Sequence, residues 1–393
     1  MRYFTGHWSE FAILCLLVIA LTTCSSSSSP PPHYTLDNRR FQSYARADSF
    51  IEVQHAFTIP AEIIQRVGFD PIAFVALDSL LILTDRTEGI AAYDNYGGLR
   101  WQIEPSILSS TEWSPLLYSF YDDALQEICA LTGDRKLIRC FDLNGLPTSS
   151  HTVKAPHAHA VRTANGNLLL ETYHKFPSGQ RFGESYTLSE FADAEFQQPY
   201  VPVVRRDIGE VDYRHARTIY QKDEDLFYSR PYTDRVDRVD TGSGSLQSHA
   251  TYNFTERHPP ASYFADPDYP NAVKAFAEEN FVRPTWVFTY EGLMVACYDY
   301  NNQSNFLIAD TATTFLNTNL LVIDKEVVPS PRMFGDAGAL LSYFTAAQHE
   351  LLEELWESDL RPSQNWREKV SRLKPPSKEE PLAIRVVLSR LRR

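Results

Sequence analysis

Cations are in short supply in this chain: 37 Lys and Arg stand against 50 Asp and Glu, giving a formal net charge of −13 and a pI near 5.3. Phosphate contacts need clustered positive charge, so this balance excludes a general nucleic-acid binder. Cysteine is sparse as well. Of five in 393 residues, only Cys129, Cys140 and Cys297 lie beyond residue 24, too few for a disulfide framework. The apolar run Phe11 to Leu21 is shorter than the ~20 residues that a membrane-crossing helix needs, and glycine, at 16, is outnumbered by 24 prolines. Chemical motifs are missing too: there is no P-loop, nucleophile elbow, Cys-x-x-Cys or sialidase-type Asp-box. What is present is an ordinary globular composition, 43% hydrophobic and 22% charged, with 21 Tyr and 23 Phe. Abundant aromatics and prolines favour strands and turns over long helices.

Arg2 and the α-amino group precede the run Phe11 to Leu21, whose length suits a secretory signal. The run leads into Leu21-Thr22-Thr23-Cys24, which resembles a bacterial lipobox, the site where a precursor is cleaved ahead of a cysteine that is then acylated. The resemblance implies a lipoprotein-type signal peptide over 1–23, Cys24 as the lipidation site, and a membrane as the partner that the anchor engages. Each buried acyl CH₂ contributes ~0.8 kcal/mol, so two chains on one residue hold a protein at a bilayer. A cleaved soluble secretory protein and an uncleaved signal anchor are the competing readings. Ser25 to Ser29 and Pro30 to Pro32 bury too little apolar surface to order themselves, so 24–40 is expected to be a solvated tether. Ser25 rather than an acidic residue follows Cys24, and the tether has no acidic export signal. The expected location is therefore the cell envelope, at the outer membrane facing the periplasm.

A period of about 48 residues runs through the body. Leu80 to Asp85, Ile90 to Asp94 and Leu99 to Ile103 read as three strands separated by turn residues. Forty-eight residues on, Tyr93-Asp94 and Gly97 recur as Phe141-Asp142 and Gly145, and a further 48 reach Glu190 in Tyr186 to Phe191. Leu226 to Tyr228 with Arg235 to Asp240, and Leu293 to Tyr298 with Asn305 to Asp310, make the fourth and fifth units. The wider gap between those two holds a helical insertion at about 256–280. Strands at Asn319 to Ile323, Gly338 to Phe344 and Leu382 to Leu391 supply a sixth unit, interrupted by helical apolar spacing over about 344–374. Repeats of this length with several short strands each mark a β-propeller. The expected fold is an all-β, six-bladed propeller over 41–393 with a few peripheral helices near the carboxyl end. A ring closes only if no sheet edge is left bare, so Phe50 to Ile59 is expected to pair in the blade that holds the closing strand, about 382–391.

The Cys24 motif and Ser/Pro tether, the Tyr-Asp-x-x-Gly units ending at Gly97 and Gly145, and the closing stretch Glu379 to Leu388 together resemble the six-bladed β-propeller lipoproteins of Bacteroidota, of the NHL or TolB-like type. The likeness covers about Phe41 to Arg393, and Glu380-Pro381 stands where Asp-Pro or Asn-Pro is usual. It implies fold and location. Much of that family has no known function, so it implies no chemistry.

Several residue groups invite a chemical reading. Cys129 and Cys140 flank the turn Gly133 to Lys136 symmetrically, which sets them opposite each other on paired strands. An exported location permits a disulfide there; two buried thiols fit as well, because a directly cross-strand bond needs strained geometry. His157 and His159, at i and i+2, share one strand face, a spacing able to hold zinc, but no third ligand accompanies them. Asp240-Thr241-Gly242 has the aspartic-protease triplet once, while that chemistry needs two carboxylates sharing a proton; it reads as a hairpin turn. His349-Glu350-Leu-Leu-Glu353 lacks the second histidine of a zincin helix. Arg230 to Asp240 suits a carboxylate at a rim or a solvated hairpin. Tyr263 to Tyr269 suits sugar stacking or the pinning of an insertion. No catalytic residue, cofactor or resident metal is assigned.

The reading that results is a cell-envelope lipoprotein acting as a non-catalytic binding or scaffold propeller for a protein, peptide or glycan. The competing reading is a hydrolase or lyase acting on carbohydrate or peptide in the axial pocket. That alternative requires titratable side chains with shifted pKa values converging at one mouth, and fold alone does not decide between the two.

Overall fold

In the computed structural model the described residues are 30–42, 44–61, 71–85, 89–104, 118–131, 137–152, 157–163, 166–172, 186–192, 195–202, 219–222, 225–229, 234–259, 280–301, 303–323, 326–345, 348 and 383–392. For 157–162, 170–172, 186–192, 195–202, 283 and 326 the backbone alone is described. The chain divides into two units, Met1–Pro32 and His33–Arg393. Of the first, only Pro30 to Pro32 are described, and they are exposed.

The second unit is built of strands. Three precede the repeats: β1 (His33–Leu36), β2 (Ala45–Arg46) and β3 (Ile51–Ile59). Blade one is β4 (Pro71–Ala76), β5 (Leu80–Asp85), β6 (Gly89–Asp94) and β7 (Leu99–Ile103). Blade two is β8 (Tyr118–Asp122), β9 (Glu127–Leu131), β10 (Leu137–Asp142) and β11 (Pro147–Thr152). Blade three is β12 (His157–Arg162), β13 (Leu168–Thr172), β14 (Tyr186–Ala192) and β15 (Glu195–Pro202). Blade four is β16 (Ile219–Lys222), β17 (Asp225–Tyr228), β18 (Arg235–Asp240) and β19 (Ser245–Phe254). Blade five is β20 (Arg283–Tyr290), β21 (Leu293–Tyr300), β22 (Gln303–Ala309) and β23 (Thr314–Thr318). A hairpin of β24 (Leu320–Ile323) and β25 (Glu326–Pro329) follows, and then blade six: β26 (Met333–Phe334), β27 (Ala339–Thr345) and β28 (Ile384–Leu391), completed by β3. This is the six-bladed, all-β propeller that the repeats predict.

Central strands are covered on both faces by neighbouring blades, so they read as apolar runs rather than as alternating strands. Every residue from Leu81 to Asp85 and from Gly89 to Tyr93 is buried. The outer strand β11, Pro-Thr-Ser-Ser-His-Thr, has no buried residue. The apolar content of a strand thus tracks its distance from the ring's rim.

Closure follows the expected clasp. β28 lies between β27 and β3, with Ile384 opposite Ile59, Val386 opposite Phe57 and Leu391 opposite Ile51. Ile51, Ile59 and Val386 are fully buried at this seam, and Arg392 N–H donates to the Phe50 carbonyl at 2.8 Å. Two further amino-terminal pieces add to the clasp. β1 pairs in parallel with β19 as a fifth strand of blade four, and β2 pairs in parallel with β24. A reciprocal pair of bonds between Asn38 and Glu256, each 2.9 Å, fixes the exit of β1.

Three expectations need amendment. β1 lies inside the stretch 24–40 expected as tether, because Tyr34 and Leu36 find buried places beside β19. Leu320–Ile323 is not a strand of blade six but pairs with β2 and β25. Pro329 and Pro331, which cannot donate to a ladder, delay that blade until the two-residue β26. Among the described residues the helical conformations are the 3₁₀ turn Asp336–Gly338 and the single residue Gln348, so the peripheral helices expected near the carboxyl end are not part of the described fold. Of the helical readings at about 256–280 and 344–374, residues 260–279, 346–347 and 349–374 lie outside the described residues. Thr345 and Gln348 do exchange bonds, N–H to Oε1 at 2.9 Å and N–H to Oγ1 at 3.2 Å, the reciprocal arrangement of a capping box.

Candidate functional site

The first strands of the blades form the inner ring, and on the described ones large rings meet. Phe288 on β20 stacks on Phe334 of β26 with centroids 4.4 Å apart, Trp286 lies 5.2 Å from Phe334, and Tyr220 on β16 is 5.6 Å from both phenylalanines. Between β4, β8, β20 and β26 the remaining void is about 10 Å³, walled by residues that include Ile72, Phe74, Tyr118, Trp286 and Phe334. One water needs ~10–15 Å³, so there is scarcely room for that. The Tyr220 hydroxyl accepts the Thr289 N–H at 3.0 Å, and burial raises its pKa, so it stays a neutral phenol.

The repeated Tyr-Asp-x-x-Gly unit has an inter-blade packing role. The Asp94 carboxylate accepts N–H bonds from Tyr96 at 2.9 Å and Gly98 at 2.8 Å; Asp142 does the same with Asn144 at 2.9 Å and Leu146 at 2.8 Å. Those donors, Gly98 foremost for Asp94 and Leu146 for Asp142, hold both carboxyls below the usual carboxylate range. The glycine seats the turn on the blade before it. A Cβ on Gly97 would stand 2.6 Å from the Phe57 ring of β3, and one on Gly145 would stand 2.9 Å from the Trp101 ring of β7. Trp101 Nε1–H also donates to the Leu143 carbonyl at 2.8 Å.

The other sequence candidates fall into place as follows. Cys129 and Cys140 are directly opposed on β9 and β10 and form a disulfide, with Cα atoms 4.0 Å apart; of the two readings left open, the bonded one holds. Glu127 lies with them in a group of metal-ligand type, but bonded sulfurs offer no thiolate. His157 and His159 are both on β12, where the register shifts between them. That bulge breaks the i, i+2 alternation on which a shared face depended. Asp240-Thr241-Gly242 is the expected hairpin turn, its carboxylate accepting from Gly242 N–H at 3.0 Å and Ser243 N–H at 3.1 Å. In the charged stretch, Arg238 pairs with Asp225 at 2.6 Å and Arg235 with Asp237 at 3.0 Å, so the hairpin satisfies its own charges. Cys24, Arg230, Tyr263 to Tyr269, His349, Glu350 and Glu353 lie outside the described residues.

Among the described residues a space large enough for a ligand opens elsewhere. Beside blades five and six a cavity of about 350 Å³ opens around the segment Pro329 to Met333, within the range of small-molecule pockets. β25 and β26 bring Pro329, Ser330, Pro331 and Arg332 to one wall; β20, β21 and β22 bring Thr285, Cys297, Asp299 and Ser304 to the other, and Tyr343 of β27 and Asn319 close it. Arg332 lies over the Tyr343 ring, 5.2 Å from its centroid. Ser304 Oγ–H donates to Asp299 Oδ1 at 2.6 Å. Burial, reinforced by the Asp299 carboxylate, pushes the Cys297 thiol pKa up; it remains protonated and is not a poised nucleophile. None of these residues had been singled out in the sequence. The signal available was local: an arginine held in Pro-Ser-Pro-Arg, a stiffened polar segment between two apolar strands.

No family model matches the chain, and no curated protein matches it. Among solved structures, a Bacteroides fragilis protein inferred to be exported is similar at a TM-score of 0.65 and 12% identity, over 92% of this chain and 99% of that one. A Bacteroides caccae protein of unknown function is similar at a TM-score of 0.41 and 9% identity, over 68% and 93% of the two chains. At these identities the likeness is one of fold.

Proposed function

We propose that this protein is an exported propeller of the cell envelope that binds a partner without transforming it, tethered by acylated Cys24 to a membrane, the outer one on its periplasmic side. The observation that carries the binding role is where the described residues leave room. Between β4, β8, β20 and β26 the described side chains leave a void of about 10 Å³, whereas about 350 Å³ opens beside blades five and six. That cavity pairs hydrogen-bonding groups with a protonated thiol, a composition suited to recognition. A hydrolase or lyase using the void between β4, β8, β20 and β26 would have to fit its substrate where a water hardly fits. Export is supported by the apolar run ahead of Cys24 and by the B. fragilis neighbour inferred to be exported.

Two measurements test this reading. In a lipidating bacterial host, the wild-type chain should take up an alkyne-tagged fatty acid and sediment with membranes, and Cys24→Ala should do neither; labelling of C24A overturns the anchor. Against a panel of sugars, sugar acids, amino acids and short peptides, the protein should give saturable shifts in melting midpoint without product release. Turnover of any panel member overturns the non-catalytic role.

A further inference from the structure

We infer that the cavity beside blades five and six takes a small polyol bearing a carboxylate, of the sugar-acid class, with Arg332 receiving the carboxylate and Asp299, Asn319 and Thr285 the hydroxyls. The inference rests on the binding role proposed above. It begins with an arginine that lacks an acid. In a chain where 50 Asp and Glu outnumber 37 Lys and Arg, Arg332 has no carboxylate partner among the described residues, and its guanidinium instead lies on the Tyr343 ring. Its backbone is fixed on both sides: the N–H donates to the Leu341 carbonyl at 2.9 Å, and the carbonyl accepts Trp286 Nε1–H at 3.3 Å. A planar fork on a held backbone, with no carboxylate of its own among the described residues, is matched to a carboxylate ligand, which it engages through two parallel bonds.

The rest of the lining selects among anions. Asp299, which already accepts the Ser304 hydroxyl, puts an acceptor on the wall across from Arg332, a pairing that suits a ligand negative at one end and a donor at the other. Vicinal hydroxyls are such donors. The Asn319 amide and the Thr285 hydroxyl, which have no hydrogen-bond partner among the described residues, offer neutral donors and acceptors, a set that suits hydroxyls better than an ammonium group. Thr285 carries a further sign. It is the extra residue of a bulge in β20, and the same bulge recurs in β4 at Ile72 and in β12 at Ala158. An aliphatic residue therefore satisfies that backbone, and the hydroxyl at blade five is not demanded by it. Bulges re-aim side chains, and this one lines the cavity.

Isothermal titration of the purified protein with glucuronate, glucose, acetate and glycine tests the assignment. Glucuronate should bind at least about tenfold more tightly than glucose or acetate. Arg332→Gln should weaken glucuronate about tenfold or more, as one charge-assisted bond pair is lost, and leave glucose unchanged. Asp299→Asn should weaken glucuronate and glucose alike. Arg332 is exposed and outside the core, so R332Q should melt as the wild type does. Equal affinity for glucose and glucuronate, or glucuronate binding untouched in R332Q, overturns the carboxylate assignment while the binding role stands. Preferential binding of glycine that R332Q abolishes overturns the polyol class and also leaves that role standing. If none of the four binds the wild type, the sugar-acid assignment falls, and the binding role falls only if the wider panel above gives no saturable shift either.

Discussion

Gly97→Ala separates two reasons why a glycine stands at the end of each Asp-turn, and it is expected to be costly. Gly97 has φ +84, and an added Cβ would meet Phe57 Cδ2 at 2.6 Å. The left-handed backbone alone costs an alanine ~1–2 kcal/mol. Phe57 is 4% exposed, sits opposite Val386 in the clasp and lies 6.2 Å from Tyr93, so its ring has little freedom to retreat. Forcing it aside adds ~1–3 kcal/mol, for a total of ~2–5 kcal/mol. Gly292→Ala is the control: φ is +78, and no atom lies within 4 Å of its added Cβ, so it should cost only ~1–2 kcal/mol. Urea unfolding followed by tryptophan fluorescence reads both at unchanged m-value. In a cycle with Phe57→Leu, part of the Gly97→Ala penalty should be recovered, since the two changes share one contact. If G97A and G292A destabilise equally and F57L restores nothing, the glycine serves the turn alone and the inter-blade role assigned to the motif is wrong.

Three other outcomes are expected. The Cys129–Cys140 bond closes a loop with a sequence separation of 11, so reduction should lower unfolding free energy by ~2–3 kcal/mol, seen as a lower urea midpoint with reductant and no such change in a double Ala variant. Stability should fall as pH drops through ~6.5: burial, the leading cause, depresses the pKa of His249 and His258, so the unfolded chain binds more protons there than the folded one does. His258→Gln should flatten that slope in melting scans between about pH 7.5 and 5.5; an unchanged slope would contradict the burial assignment. Below ~pH 4 the same scans should fall again, because Asp94, Asp142 and Asp240 carry depressed pKa values and lose their turn bonds on protonation. Finally, truncation after Leu382 bares the edges of β3 and β27. The ring should then become protease-sensitive and recover protection when a peptide of residues 383–393 is supplied in trans; native protection of the truncated chain would refute the clasp.

The parts of the fold legible from sequence are those whose burial is complete. Leu81 to Leu83, Ile90 to Tyr93 and Met294 to Tyr298 are covered on both faces, so they stand out as apolar runs closed by Asp and Gly. The clasp was legible for a different reason: Ile51 to Ile59 and Ile384 to Leu391 are strand-like ends of a repeat array with an edge to hide. First strands such as Pro71–Ala76 and Arg283–Tyr290 were not legible, since they have a proline at their first or second residue, carry a bulge and mix large rings with small residues. β1 was hidden more deeply. Its four residues alternate exposed and buried, and their partners Thr251 to Phe254 lie 218 residues away, a parallel pairing that no local pattern announces.

The site was hidden because its chemistry is not contiguous. The motif that repeats, Asp-x-x-Gly, proved to be packing: repetition is what identical neighbour contacts around a ring demand, so a repeated motif in a propeller is weighted toward structure. A binding function belongs to one place in the ring and must break the repeat. Thr285 does so, replacing the aliphatic residue found at the bulges of blades one and three. The hairpin Leu320–Pro329 does so again, an extra element between blades five and six that delivers Asn319, Ser330 and Arg332 to one wall. Both departures adjoin the same cavity. Had they been accommodations of strain, they would have no reason to converge on a space of about 350 Å³ that leaves an arginine without a carboxylate, and an amide and a hydroxyl without a hydrogen-bond partner, among the described residues. Beside turns such as those at Asp94, Asp142 and Asp240, which satisfy their own carboxylates, that convergence is what distinguishes a site from a gap in packing.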